Sequence, residues 1–146
     1  MTKIIERYIP LLPFKEAEGE FEIVDFSYTF KGLIINLSKC ESEKKIDLRV
    51  KFFCRKSICR VANETYRGRL NENFEELFKN IGPCGSLYMV ENSNYLQSLS
   101  DESYTLTDVL NFKHYFIADS EWTFDIASQE EPRIELFIEN EFIKSV

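Results

Sequence analysis

The single histidine of the chain, His114, is the first residue to consider for catalysis, because general-base chemistry near neutral pH is most often carried by an imidazole. It lies in an apolar stretch between Lys113 and Tyr115. The sequence does not indicate which serine, cysteine or carboxylate approaches it, so we assign no catalytic residue. A small hydrolytic or ligand-binding enzyme that uses His114 with a carboxylate is one alternative hypothesis for the function.

The motifs that hold metals or phosphates are absent from the sequence. The four cysteines form no C-x-x-C pair, and the carboxylates form no D-x-D-x-D-G loop. Gly82-x-x-Gly85 lacks the Lys-Ser/Thr that completes a phosphate-binding loop. We therefore expect no metal site and no cofactor, with the four cysteines as reduced, structural thiols.

Positive and negative charge lie in different parts of the chain. Residues 44–69 carry nine Lys/Arg against two acids, whereas residues 91–146 carry twelve acids against three bases. The whole chain has a formal net charge of −7. This asymmetry indicates either an internal electrostatic match, within the monomer or across a dimer, or a charged partner.

Aromatic side chains interleave with the acidic final third, and acid with Tyr or Trp is the composition of a surface that binds a basic protein. Our leading hypothesis is a non-enzymatic interaction protein that binds a basic partner protein through this surface. The residues that we expect to contact the partner are Glu102, Asp108, Asp119, Glu121 and Trp122.

The basic segment supports a further alternative. Apolar and charged residues alternate through residues 45–55, which predicts a half-buried strand with a cationic outer face that can bind RNA. The acidic total disfavours nucleic acid as a partner, because a protein that neutralises phosphates needs a positive face. The residues of this alternative basic face are Lys45, Arg49, Lys51 and Arg55.

At 146 residues, with 44% hydrophobic residues, the chain suits a single domain over residues 1–146. No apolar run reaches the ~20 residues that a membrane helix needs, and the N-terminus lacks the apolar core of a signal peptide. We expect a cytoplasmic protein, a monomer or a homodimer, that does not bind membranes.

Hydrophobic periodicity predicts the order of the elements. Residues 10–20 are a loop, residues 21–64 form β-hairpins, and residues 69–100 are a helical region with a short strand. Within that region, Asn92 or Ser93 can cap a short helix. Residues 113–142 contain a hairpin and a C-terminal element that can be strand or helix. The expected fold is α+β, a mostly antiparallel sheet with two or three helices packed on one face.

The second half resembles small uncharacterised bacterial proteins, some of which are similar to immunity proteins of toxin–immunity systems. The resemblance implies a compact, non-catalytic cytosolic protein that binds and blocks a basic toxin, and it assigns no site residue. The segments that carry it are Glu91-Asn92-Ser93-Asn94-Tyr95-Leu96, Lys113-His114-Tyr115-Phe116-Ile117, Trp122-Thr123-Phe124-Asp125-Ile126-Ala127 and Pro132.

Overall fold

The computed structural model describes residues 6–53, 57–63, 86–102, 111–119 and 121–146. This part of the chain contains ten strands, one α-helix, α1 (Asn94–Glu102), and a 3₁₀ turn (Lys15–Ala17). The strands are β1 (Arg7–Pro10), β2 (Phe21–Thr29), β3 (Gly32–Lys39), β4 (Ile46–Phe53), β5 (Ser57–Asn63), β6 (Leu87–Glu91), β7 (Lys113–Ala118), β8 (Trp122–Ser128), β9 (Arg133–Ile138) and β10 (Glu141–Ser145).

The strands form two five-stranded sheets in which every neighbouring pair is antiparallel. The first sheet has the order β1-β6-β7-β8-β5, and the second has the order β10-β9-β4-β3-β2. Each sheet therefore combines hairpins with strands that are distant in sequence.

The α+β prediction is wrong. The structure is mostly antiparallel β, and the described residues contain one short helix rather than two or three packed on one sheet. The C-terminal element, for which strand and helix are both open in the sequence, begins with a strand, because β9 pairs with the distant strand β4. The residues before the predicted loop also form a strand, β1, because β6 supplies its hydrogen bonds. The first part of the predicted helical region, up to residue 85, falls outside the described residues.

The two sheets pack face to face around one hydrophobic core. Period-two alternation sends Leu48, Val50 and Phe52 of β4 inward, as the sequence pattern predicts, while Arg49 and Lys51 lie on the outer face. Full burial of each such side chain stabilises the fold by roughly 1.5–3 kcal/mol. The remaining large side chains of the core include Leu33, Ile35, Leu37, Tyr115, Ile117, Phe124, Ile126 and Leu136.

The outer face of the first sheet is also covered. Tyr88, Val90 and Phe116 form a second apolar cluster there, and α1 contacts β7 on this side. The central strands β7 and β8 are therefore buried on both faces. Polar side chains on their outer face must find partners within the protein, because an unsatisfied buried polar group costs about 1–3 kcal/mol.

Candidate functional site

His114 and Asp125 come together on the covered outer face of the first sheet. His114 lies opposite Ala127 in the register of β7 and β8, so Asp125, two residues before Ala127, points to the same face. Nε2 of His114 is 2.8 Å from Oδ1 of Asp125, and only 2% and 3% of the two side chains are exposed. The histidine of the enzyme hypothesis thus has a carboxylate partner, although both groups are buried.

Arg60 neutralises this carboxylate from the neighbouring strand. The register of β5 and β8 places Arg60 opposite Asp125, and its Nε and Nη2 donate to Oδ2 over 3.2 and 3.0 Å. Nearly half of the Arg60 side chain remains exposed, so the ion pair joins a solvent-facing cation to a buried anion. The pairing offsets the cost of burying the Asp125 charge.

Ser93 completes the network at the N-terminus of α1. Its Oγ accepts a hydrogen bond from Leu96 N–H over 3.0 Å and lies 2.7 Å from Nδ1 of His114. Both ring nitrogens have a partner when the Ser93 hydroxyl donates to Nδ1 and the Nε2–H of His114 donates to Asp125. The sequence prediction that Asn92 or Ser93 caps this helix is confirmed for Ser93.

Tyr95 packs over the same network. Its ring lies 5.2 Å from the His114 ring and 4.5 Å from the guanidinium carbon of Arg60. Burial raises the pKa of Tyr95 to about 12, although the nearby Arg60 charge acts in the opposite direction. The phenol therefore stays protonated well above neutral pH.

Ser93, His114 and Asp125 have the order of a hydrolytic triad, but their surroundings do not suit hydrolysis. The Ser93 oxygen already caps α1, and the imidazole is almost fully buried. The Glu6 carboxylate accepts the Asn94 N–H over 3.2 Å, so a negative charge lies at the helix end where an oxyanion would need donors. This geometry favours a network that positions the helix over one that attacks a substrate.

The residues that we expected to contact a partner do not all lie in one element of the structure. Asp119 and Glu121 share the β7–β8 turn with Trp122, and the side chains of Glu121 and Trp122 are exposed. Glu102 ends α1, and Asp108 falls outside the described residues. Three residues of the predicted set thus lie together in one turn.

The Asp119 carboxylate holds that turn together through hydrogen bonds to the backbone. Its Oδ1 accepts the N–H groups of Glu121 and Trp122 over 2.8 and 2.7 Å. Its Oδ2 accepts the Ile23 N–H of β2 over 2.9 Å, which joins the turn to the edge of the second sheet. The carboxylate therefore links the two sheets at this end of the molecule.

Further carboxylates surround Cys40, at the end of β3 beside this turn. The pKa of the Cys40 thiol is raised by burial first, and then by the negative charges of four neighbours. None of these four, nor Glu121, forms an ion pair with a residue in the described ranges. We call this group the acidic edge: Glu20, Glu22, Glu41, Asp119 and Glu121.

The predicted basic face carries carboxylates between its cations. Lys45 lies 3.8 Å from Asp47, and Lys51 lies 2.9 Å from Glu135 of β9. Arg49 packs on Phe137, with its guanidinium carbon 5.0 Å from the ring centroid. Arg55 falls outside the described residues. A face with this many opposite charges is a poor match for the phosphates of RNA.

Within the described ranges, two ion pairs join the basic segment to the acidic final third. They are Lys51–Glu135 and Arg60–Asp125, each between neighbouring strands. The expected internal match of charges therefore exists for part of the chain. The carboxylates of the acidic edge form no ion pair with a described residue, and most of them come from the N-terminal half of the chain rather than from the final third.

The described ranges contain no group of three His, Cys, Asp or Glu residues that could hold a metal ion. Their helices are also too short and too polar to cross a membrane. The fold and these sites define an antiparallel two-sheet protein with a buried polar network and an acidic edge. Comparison with protein-family models, with curated proteins and with solved structures returns no match.

Proposed function

We propose that this chain is a non-catalytic interaction protein that binds a basic partner protein through its acidic edge, in the manner of an immunity-type inhibitor. The observation that carries the proposal is the convergence of carboxylates without ion pairs on one rim of the second sheet. Such a concentration of negative charge attracts a cationic protein before contact and raises the association rate.

Exposed apolar side chains lie close to these charges along the chain. Val24 is 62% exposed and Phe26 44% exposed on β2, which also carries Glu22. Trp122, 36% exposed, begins the strand after Glu121. Large aromatic side chains with charged neighbours are the composition of binding hot spots, because they bury area at little entropic cost while the charges set the orientation.

The buried network of Ser93, His114 and Asp125 also favours a binding protein over an enzyme. Ser93, His114 and Asp125 satisfy one another, and His114 has almost no exposed surface. Groups in this condition stabilise a scaffold, whereas a catalytic group must reach a substrate. Because these polar groups are already paired with one another and buried, binding of a partner is the function that the described residues support best.

The test is a capture experiment with the products of genes that neighbour its own, at low and at high salt. The triple variant Glu20→Gln, Glu22→Gln, Glu121→Gln removes three charges from the acidic edge. The control triple variant Asp101→Asn, Glu131→Gln, Glu141→Gln removes three charges from exposed positions elsewhere.

We expect the wild-type chain and the control to retain a basic neighbour product at low salt, and the acidic-edge variant to lose it. Salt should weaken the retention, because exposed charges are screened over about 10 Å at 0.1 M. The proposal fails if the wild-type chain retains no basic product, or if both triple variants bind equally.

A further inference from the structure

A polar groove crosses the outer face of the second sheet, away from the buried network. Its volume is about 370 Å³, a size typical of small-molecule sites. Outward side chains of β3 and β4 line it, together with Phe137 of β9 and Asn140 of the β9–β10 turn. Its charged lining residues are two acids and two bases, Asp25, Asp47, Lys45 and Arg49.

Lys45 and Asp47 already interact with groups of the protein. Lys45 Nζ donates to Oδ1 of Asn140 over 2.8 Å and lies 3.8 Å from Oδ2 of Asp47. The other carboxylate oxygen of Asp47 is buried, so a ligand in the groove does not reach it. These two charges therefore offset each other, and the recognition of a ligand falls to the remaining pair, Asp25 and Arg49.

Asn36 connects Asp25 to Arg49 but keeps their charges apart. The registers of β2 with β3 and of β3 with β4 place the three residues in one row across the sheet. The Asn36 amide nitrogen donates to Oδ1 of Asp25, and its Oδ1 accepts the Nε–H of Arg49 over 2.9 Å. The guanidinium carbon also lies 5.0 Å from the ring centroid of Phe137. Two contacts therefore orient the Arg49 side chain, and they use only one of its three nitrogens as a donor.

Arg49 is oriented without being neutralised. Glu135 lies opposite it in the register of β4 and β9, but that carboxylate binds Lys51 over 2.9 Å. Of the four arginines in the described ranges, Arg49 alone forms no ion pair. Its Nη1 and Nη2 are left as two parallel donors. A guanidinium that is already oriented binds a carboxylate through such a pair with little further loss of entropy.

We propose that this groove binds a small organic monocarboxylate with an apolar body. The ligand carboxylate binds Nη1 and Nη2 of Arg49, and its apolar body packs against Phe137 and Val24, which line the same groove. A dicarboxylate or a phosphate dianion is disfavoured, because the groove offers one cation without an ion pair, and its two carboxylates repel further negative charge. The proposal does not depend on the acidic edge or on a partner protein.

The experiment is a titration of the intact, isotope-labelled chain with hexanoate and with benzoate, followed by NMR at the Asn36 side-chain amide and the Arg49 Nε–H. Hexanamide and benzamide match these acids in size without the charge, whereas succinate and inorganic phosphate carry more charge. The binding-site variants are Arg49→Gln and Arg49→Lys. Arg133→Gln is the matched control, because Arg133 lies on the same sheet face but does not line the groove.

We expect at least one of the acids, at about 10 mM, to shift the Asn36 amide signal in the wild-type chain and in the Arg133 variant. Arg49→Gln should weaken this binding at least about tenfold, and Arg49→Lys should weaken it less, because lysine keeps the charge but lacks the paired donors. The urea midpoint of each variant without ligand shows whether it is folded, and Arg49→Lys carries the test if Arg49→Gln unfolds.

The proposal is overturned by any of four results. Neither acid shifts the signals, or the neutral amides bind as tightly as the acids. Alternatively, acid binding is unchanged in a folded Arg49 variant, or succinate or phosphate binds more tightly than the monocarboxylates. None of these results bears on the capture of a basic protein by the acidic edge, so the two proposals fail separately.

Discussion

Nε2 of His114 lies 2.8 Å from Oδ1 of Asp125, with both side chains almost completely removed from solvent. The same carboxylate accepts two hydrogen bonds from Arg60, and the other imidazole nitrogen lies 2.7 Å from Oγ of Ser93. A continuous chain of hydrogen bonds thus runs from the edge strand β5, across β8 and β7, to the first turn of α1. Low-dielectric surroundings strengthen such a chain and penalise any member that loses its partner.

Removing the cation from this network should destabilise the protein strongly. The substitution Arg60→Met leaves the buried Asp125 carboxylate without the guanidinium that pairs with it, and we expect the free energy of unfolding to fall by about 3 kcal/mol. Urea unfolding measures the change. Arg7→Met, which breaks the exposed pair with Glu91, should cost less than about 1 kcal/mol. Equal losses for the two variants would contradict a special role for the Arg60–Asp125 pair.

Removing the hydroxyl of Ser93 should destabilise α1 in particular. The substitution Ser93→Ala deletes the acceptor for Leu96 N–H and the partner of His114 Nδ1, so we expect a loss of about 1–2 kcal/mol. Amide hydrogen exchange should become faster in α1 before it does in β7. Ser98→Ala, on the same helix, removes only a bond back to the Tyr95 carbonyl and should change stability by less than about 0.5 kcal/mol. If amide exchange in α1 is equally fast in Ser93→Ala and in Ser98→Ala, the Ser93 cap does not stabilise the helix.

Removing the carboxylate of Asp119 should weaken the connection between the two sheets. The substitution Asp119→Ala leaves the N–H groups of Ile23, Glu121 and Trp122 without this acceptor, and we expect a loss of about 2 kcal/mol in urea unfolding. Glu121→Gln, in the same turn, should leave stability unchanged because its side chain is exposed. If the urea midpoint of Asp119→Ala equals that of the wild-type chain, the turn does not depend on these hydrogen bonds.

Sequence reasoning succeeds in this protein where the information is local. The alternation in β4 predicts its buried face because a strand repeats every two residues. The capping role of Ser93 is visible in the residue type at the start of a short helix. Both inferences need only neighbours a few residues apart in the chain.

The same reasoning fails where distant strands decide the outcome. β1 becomes a strand because β6 lies beside it, more than 70 residues later in the chain, and nothing in its own four residues requires that pairing. The contact of Arg60 with Asp125 spans 65 residues and depends on the register of β5 with β8. The partner of His114 depends on the register set by the β7–β8 turn, which the sequence does not specify to the residue. The network of Arg60, Asp125 and His114 therefore depends on which strands pair and in which register, and the sequence alone does not specify either.

Two buried tyrosines should make stability fall in alkaline solution. Burial raises the pKa of Tyr95 and of Tyr115 to about 12, from an ordinary value near 10. The folded chain keeps both phenols protonated where the unfolded chain already loses the protons. Their contribution to stability is therefore complete below pH 10 and is lost as the pH rises from about 10 to about 12.

The ultraviolet absorbance of phenolate measures this directly, because each ionised tyrosine adds to the signal. In the folded chain the Tyr95→Phe and Tyr115→Phe variants should each lose amplitude from the part of the titration near pH 12, and none from the part near pH 10. In urea the late part should vanish for the wild-type chain, since unfolding exposes every phenol. The control is Tyr8→Phe. Tyr8 is only partly buried, contacts Tyr88 and Phe116, and lies outside the core between the sheets and outside the buried network. A single transition near pH 10 in the folded wild-type chain would mean that Tyr95 and Tyr115 are reached by solvent, and the packing of Tyr95 between His114 and Arg60 would then be incorrect.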